Sequence, residues 1–213
     1  KRPNDALLAW KIFLEKLEAE EGHRNATLIM HTDPFDNEGP NLVAVSEKFG
    51  IQDTVFYSTE RIDFEKMNVL YNISDFCFSM SYAEGFGLST LEAMMAGVPI
   101  IAPKTGGLTR QVVDHRDQTE NGVALDIKIK SLVGSQSVPY IYEDYASVDD
   151  AADAMMKIYK MSDYQKDMLT DKVLSYARKE FSLDTTVNLW NDTMIDTIKK
   201  WKKQYKSWET VTI

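Results

Sequence analysis

Glu84 and Glu92 stand on either side of the run Gly85-Phe86-Gly87-Leu88-Ser89-Thr90. The pattern reads as the end of a strand, a tight turn and the start of a helix. The first N–H groups of a helix lack internal partners and carry partial positive charge. Glycine lets an anion approach the backbone closely. Gly85, Phe86, Gly87, Leu88, Ser89 and Thr90 are therefore candidates to cradle a diphosphate. Two acids flanking such a turn would be out of place if phosphate were the whole ligand. They fit a ligand that also carries sugar hydroxyls, because carboxylates accept hydrogen bonds from vicinal diols. The same residues also fit a plain strand–turn–helix in which a glutamate merely stabilises the helix start. Neither common nucleotide fingerprint is present: Gly87 is followed by Leu88-Ser89-Thr90 where G-x-G-x-x-G needs a third glycine, and no G-K-[ST] phosphate loop occurs.

Other chemistry is sparse. The three histidines, His23, His31 and His115, have no metal-ligand spacing to one another, so no metal site is expected. His31 should close a strand at the carboxyl edge, where open α/β sheets bind ligands; it has either a hydrogen-bonding or a cleft-lining role. Cys77 is the single cysteine, so no internal disulfide can form, and its setting in Phe76-Cys77-Phe78 suggests a buried structural thiol.

The elements that would position these groups alternate. Asn4 or Asp5 can cap a helix with apolar positions Leu7, Leu8, Phe13, Leu14 and Leu17, stopped by Gly22. Residues 26–31, 54–57, 76–80 and 98–102 read as strands. Residues 41–49, 63–73 and 88–96 read as helices. Apolar strands alternating with helices imply an α/β fold: a Rossmann-like, doubly wound parallel sheet with helices on both faces. From Asp126 to Tyr142 the rhythm breaks around the turn segment Gly134-Ser135-Gln136-Ser137. Three helices are then expected over 151–161, 164–179 and 183–205, making a helical C-terminal tail. Residues 1–182 would form the domain and 183–213 a helix and tail. Trp190, Met194, Ile195 and Ile198 make an apolar stripe on that last helix, suited to the core or to a domain outside this chain.

The chain has 213 residues, of which 44% are hydrophobic and 27% charged, enough for one ordinary globular core. Its 33 acidic and 24 basic residues give a net charge of -9 and no basic patch for a nucleic-acid backbone, so no nucleic-acid partner is expected. The one dense basic run is Lys199, Lys200, Lys202, Lys203 and Lys206, a solvated helix face or a membrane-surface or partner contact. A lone cysteine fits a reducing compartment, and a cytoplasmic setting is the expectation. The opening Lys1-Arg2-Pro3 without a Met suggests a cut from something longer.

The stretch E-G-F-G-L-S-T-L-E-A-M-M-A-G-V-P-I-I-A, with Glu84 and Glu92 as its two acids, resembles the signature of family-4 retaining glycosyltransferases of the GT-B fold. Thr105-Gly106-Gly107 is similar to that family's second glycine turn, and Asn121-Gly122 to a later turn. Lys1 stands where the family has a phosphate-binding lysine. The resemblance covers about residues 1–125 and implies the C-terminal, donor-binding domain of a two-domain enzyme. It implies that Glu84 binds hydroxyls of a donor hexose, that Glu92 holds ribose hydroxyls, and that Lys1 neutralises phosphate. Gly85 to Ser89 would present N–H groups to the sugar and diphosphate. Ser58 and Arg61, after the 54–57 strand, become candidates for contact with the nucleobase. The implied reaction is metal-independent, uses UDP- or GDP-sugar as substrate with no further cofactor, and proceeds with retention. It leaves the isolated domain inactive without an N-terminal acceptor domain. Because the motif puts Glu92 on ribose, it argues against glycosidase-like hydrolysis by paired acids. A non-catalytic nucleotide-sugar-binding or interaction module, or a GT-B epimerase or phosphorylase, is the alternative. One departure is that Leu108-Thr109-Arg110-Gln111-Val112-Val113 lacks the acidic residue that often follows the second glycine turn.

Overall fold

A computed structural model describes residues 1–206. Helix α1 (Pro3–Glu21) begins with proline in its first turn, where the missing N–H costs nothing. Asn4 and Asp5 do not cap it. The preceding residue is Arg2, left-handed at φ 54°, and Asp5 lies inside the first turn, paired with the Arg2 guanidinium. Strand β1 (Leu28–His31) leads to α2 (Leu42–Phe49), whose start is capped by the Asn41 side chain accepting from the Ala44 N–H. Then follow β2 (Val55–Ser58), α3 (Phe64–Asn72), β3 (Cys77–Phe78), α4 (Leu88–Met95), β4 (Ile100–Pro103), α5 (Leu108–Val112) and β5 (Gly122–Leu125). A hairpin of β6 (Ile127–Val133) and β7 (Ile141–Ala146) precedes α6 (Val148–Tyr159), α7 (Asp163–Glu180) and α8 (Leu183–Gln204).

The layers are those of an α/β fold covered on both faces. Successive side chains of a strand point to opposite faces, and β4 shows the consequence. Ile101 enters a core built with Leu7, Trp10, Phe13 and Leu14 of α1 and Ala151, Met155 and Ile158 of α6. Its neighbours Ile100 and Ala102 enter a second core with Met94 of α4, Leu108 and Val112 of α5, and Val173 and Ala177 of α7. Every residue of β4 is buried. Full burial of such a side chain stabilises by roughly 1.5–3 kcal/mol, so this strand ties the two layers together.

Three features depart from a single continuous sheet. Among the described residues β1 pairs in parallel with β2, and β3–β4–β5 form a separate parallel ladder, with no ladder between β1 and β3. β3 is only two residues long, shorter than its apolar run suggests, because Phe76 and Met80 serve the core without pairing. Residues 126–142, which the sequence left without a regular reading, belong largely to the antiparallel hairpin β6–β7, with Gly134 to Tyr140 as its connection. Helix α8 has no buried residue: Trp190, Met194, Ile195 and Ile198 are all exposed, so the stripe does not join the core. Residues 207–213 of the expected tail lie outside the described residues.

Candidate functional site

The turn between β3 and α4 is built from behind. Gly87 precedes α4 at φ 91°, and a Cβ there would lie 2.6 Å from Leu108 of α5. Glycine is therefore required both for its backbone and for the space. Among the described residues no side chain caps α4. The buried Gln111 of α5 donates from Nε2 to the carbonyls of Phe86 (2.7 Å) and Gly87 (3.1 Å). Its Oε1 accepts from the Thr90 hydroxyl at 2.6 Å, and that hydroxyl also lies 2.9 Å from the Gly87 carbonyl. The second glycine turn presses on the first. The Gly107 N–H donates to the Glu84 carbonyl at 3.0 Å, and a Cβ on Gly107 would fall 2.6 Å from Phe86 Cα. Gly106, at φ 48°, lies so close to the Glu84 carbonyl that no side chain fits.

The two acids are held separately. Glu84 is largely covered, and Lys1 Nζ forms an ion pair with its Oε2 from an exposed position. Glu92 is half-buried and accepts at Oε2 from the Tyr71 hydroxyl at 2.8 Å. Burial, followed by that hydrogen bond and the Glu92 charge, raises the Tyr71 phenol above its ordinary value, so the hydroxyl stays a donor. Burial also pushes the Cys77 thiol up to about 11, with Glu92 adding to it. Cys77 is thus a neutral thiol at physiological pH and no nucleophile.

A cleft of about 1010 Å³ opens where β1 and β3 fail to pair. His31, Thr32, Tyr71, Phe76 and Ser89 are among its lining residues, with Trp10 and Phe13 reaching it from α1. It thus runs to the carboxyl end of β1 and the start of α4. His31 Nδ1 and Ser58 Oγ share a hydrogen bond of 3.0 Å across the ends of β1 and β2. Lys1 and Glu84 meet each other but do not line this cleft, while Glu92 approaches it through Tyr71. Gly85 and Leu88 are exposed beside the turn, and the Phe86 ring rests edge-on against Phe181 at 6.0 Å. Arg61 is exposed on the loop after β2 and takes part in no ion pair among the described residues. Among those residues no cluster of His, Cys, Asp and Glu could hold a metal ion, and no helix is long and apolar enough to cross a membrane.

Tyr71 and Gln111 carry no motif. The nearest signals were the half-apolar pattern of α3 and the missing acidic residue in the run Leu108 to Val113, and neither points to Tyr71 or Gln111 by itself. The hairpin also reaches the site. The Asp144 N–H of β7 donates to the Tyr82 carbonyl at 2.8 Å, Thr105 Oγ1 donates to Asp144 Oδ2 at 2.8 Å, and Tyr145 stacks on Tyr82.

The comparisons with known proteins agree with this architecture. A D-inositol 3-phosphate glycosyltransferase of Catenulispora acidiphila is 33% identical over 82 residues, 38% of this chain and 19% of that protein. The C-terminal domain of a glycosyl transferase group 1 family protein from Francisella tularensis shares the fold, with a TM-score of 0.59, 16% identity, and coverage of 86% of this chain and 80% of that one. The α,α-trehalose 6-phosphate synthase of Burkholderia multivorans gives a TM-score of 0.64 at 13% identity, over 95% of this chain and 41% of that one. The alignments thus span about a fifth of the curated relative and less than half of the Burkholderia enzyme. Residues 1–171 match the family model described as glycosyl transferases group 1, and the chain belongs to that family as a GT-B C-terminal domain.

Proposed function

We propose that this chain is the donor-binding half of a retaining glycosyltransferase that moves a hexose from a nucleoside-diphosphate sugar to an acceptor hydroxyl. The observation that carries this reading is the α4 start, left without a side-chain cap, with Glu84 before it and Glu92 one turn inside it. In this reading the leaving nucleoside diphosphate lies across Gly85 to Thr90, where helix N–H groups stabilise its growing negative charge. Lys1 adds a positive charge, and no divalent ion is required. Glu84 accepts from hexose hydroxyls and orients the anomeric carbon, while Glu92 uses its free oxygen on the ribose diol. The nucleobase lies toward His31, Ser58 and Arg61. The acceptor hydroxyl then attacks on the face the leaving group departs from. A second domain outside this chain supplies the acceptor, so the chain alone binds donor without transferring sugar. The relatives' names differ in the molecule they print, D-inositol 3-phosphate for one and α,α-trehalose 6-phosphate for another, and in this reading the choice of acceptor belongs to that other half.

Calorimetric titration with UDP and GDP in the presence of EDTA tests the reading. One of them is expected to bind, and Glu92→Ala to weaken it by ~1–3 kcal/mol through lost hydrogen bonds to a charged group. Unchanged affinity in a folded variant would overturn the ribose assignment.

A further inference from the structure

We propose that Gln111 is a positioning residue for the donor diphosphate: its buried amide turns the Phe86 and Gly87 carbonyls inward and so holds the Gly87 and Leu88 N–H groups out toward the anion. The proposal rests on the donor-binding reading above and adds to it the group that sets the turn.

A trans peptide is planar, so a carbonyl and the N–H of the following residue point in opposite directions. The Phe86 and Gly87 carbonyls both face Gln111 Nε2, at 2.7 and 3.1 Å, and the Gly87 carbonyl also accepts from the Leu91 N–H at 3.0 Å. The Gly87 and Leu88 N–H groups therefore face away from the core, on the side where Phe86, Leu88 and Ser89 are exposed. Neither N–H has a hydrogen-bond partner among the described residues. Two adjacent outward N–H groups at a left-handed residue form an anion-binding concavity. Gln111 is completely buried, so its amide needs these partners, and its own carbonyl is fixed by the Asn121 amide at 2.8 Å. The Phe86 and Gly87 carbonyls can only accept, which fixes the NH2 end of the amide toward them, and the Thr90 hydroxyl lies 2.6 Å from the Oε1 end.

The test uses two variants of the chain, titrated with the nucleoside diphosphate the native chain binds and with its nucleoside. Gln111→Met keeps the volume and removes the donor at every pH. It is expected to weaken the diphosphate about tenfold and the nucleoside hardly at all, as for one or two lost hydrogen bonds. Gln111→Glu faces two carbonyls with a carboxylate near pH 8, and should lose at least as much there. It should recover toward native affinity near pH 5, where the protonated acid donates again. The charged groups around α5 are Arg110, Asp114, His115 and Arg116, with Glu180 from α7, and they pair with one another on the outer face. The native chain titrated over the same pH range subtracts every contribution except that of residue 111. Equal losses for nucleoside and diphosphate, or a Gln111→Glu affinity that ignores pH while the fold is intact by circular dichroism, would overturn the role of Gln111 alone. Failure of the native chain to bind either nucleoside diphosphate would remove the donor-binding reading itself, and this proposal with it.

Discussion

At the scale of single residues, the question is what keeps a carboxylate aimed. Glu92 sits on α4 in the second turn, and its hydrogen bond to Tyr71 comes from α3. Tyr71→Phe should leave the fold intact and weaken the nucleoside diphosphate by ~0.5–1.5 kcal/mol, the usual worth of one such bond. Combined with Glu92→Ala it should add almost nothing, because the two act through one contact; a full additive loss in a double-mutant cycle would separate them. Lys1→Ala should lower affinity for the diphosphate more than for the nucleoside, and equal losses would count against its phosphate role. Glu84, Glu92 and the glycines between them are legible in the sequence because the turn is contiguous and its chemistry local. Tyr71 and Gln111 are not, since each acts across about 20 residues of chain that only the fold brings together.

At the scale of elements, glycine and one ion pair govern how β5 joins the sheet. Asn121-Gly122 is not a free turn but the entry to β5. Gly122, at φ 146°, runs so close to the Ile100 carbonyl of β4 that a Cβ would collide with it. Gly122→Ala should therefore cost about 2–4 kcal/mol, by backbone strain and a displaced ladder, measured as a lower urea midpoint. The loop before β5 is closed by Asp114, which accepts from the Arg116 side chain and backbone. Those bonds, led by the side-chain one, hold the Asp114 carboxyl down at about 2 against an ordinary 3.8. A carboxyl lowered on folding stabilises the fold above its unfolded value and loses that contribution as pH falls toward its folded one. Native and Arg116→Gln chains should thus differ in stability at neutral pH and converge between pH 3.8 and about 2. A difference that persists at pH 2 would show that Arg116 acts through something other than Asp114. The family resemblance marked this Asn–Gly as a turn, and a motif match carries nothing about the strand that Gly122 must run against. The alternation that did predict β4, the 88–96 helix and the three late helices is a property of each segment alone. The hairpin was missed because its strands carry Lys128, Lys130, Ser131 and Glu143 among exposed Ile129, Leu132 and Tyr142, a pattern without a buried face.

At the scale of the whole molecule, stability and apolar surface are distributed unevenly. Among the described residues the two cores draw on nothing after Phe181: the last members are Tyr176, Ala177 and the partly buried Phe181. Helix α8 follows with Leu183, Val187, Trp190, Met194, Ile198 and Trp201 exposed at steps of three and four, one apolar stripe along 22 residues. Its basic residues, Lys199, Lys200, Lys202 and Lys203, crowd the last turns, and Lys206 follows beyond the helix. Burial drives folding in proportion to the apolar area removed from water, and α8 removes almost none within the described residues. A chain ending at Ser182 should therefore keep its unfolding free energy to within about 0.5 kcal/mol, as for a change outside any buried contact, and should retain nucleoside-diphosphate binding. The same truncation should reduce self-association in sedimentation, because an uninterrupted apolar stripe of this kind is a docking surface in water. An unfolding free energy that falls by several kcal/mol instead would mean that α8 packs on the domain in solution, and the division of the chain at residue 182 would have to be abandoned.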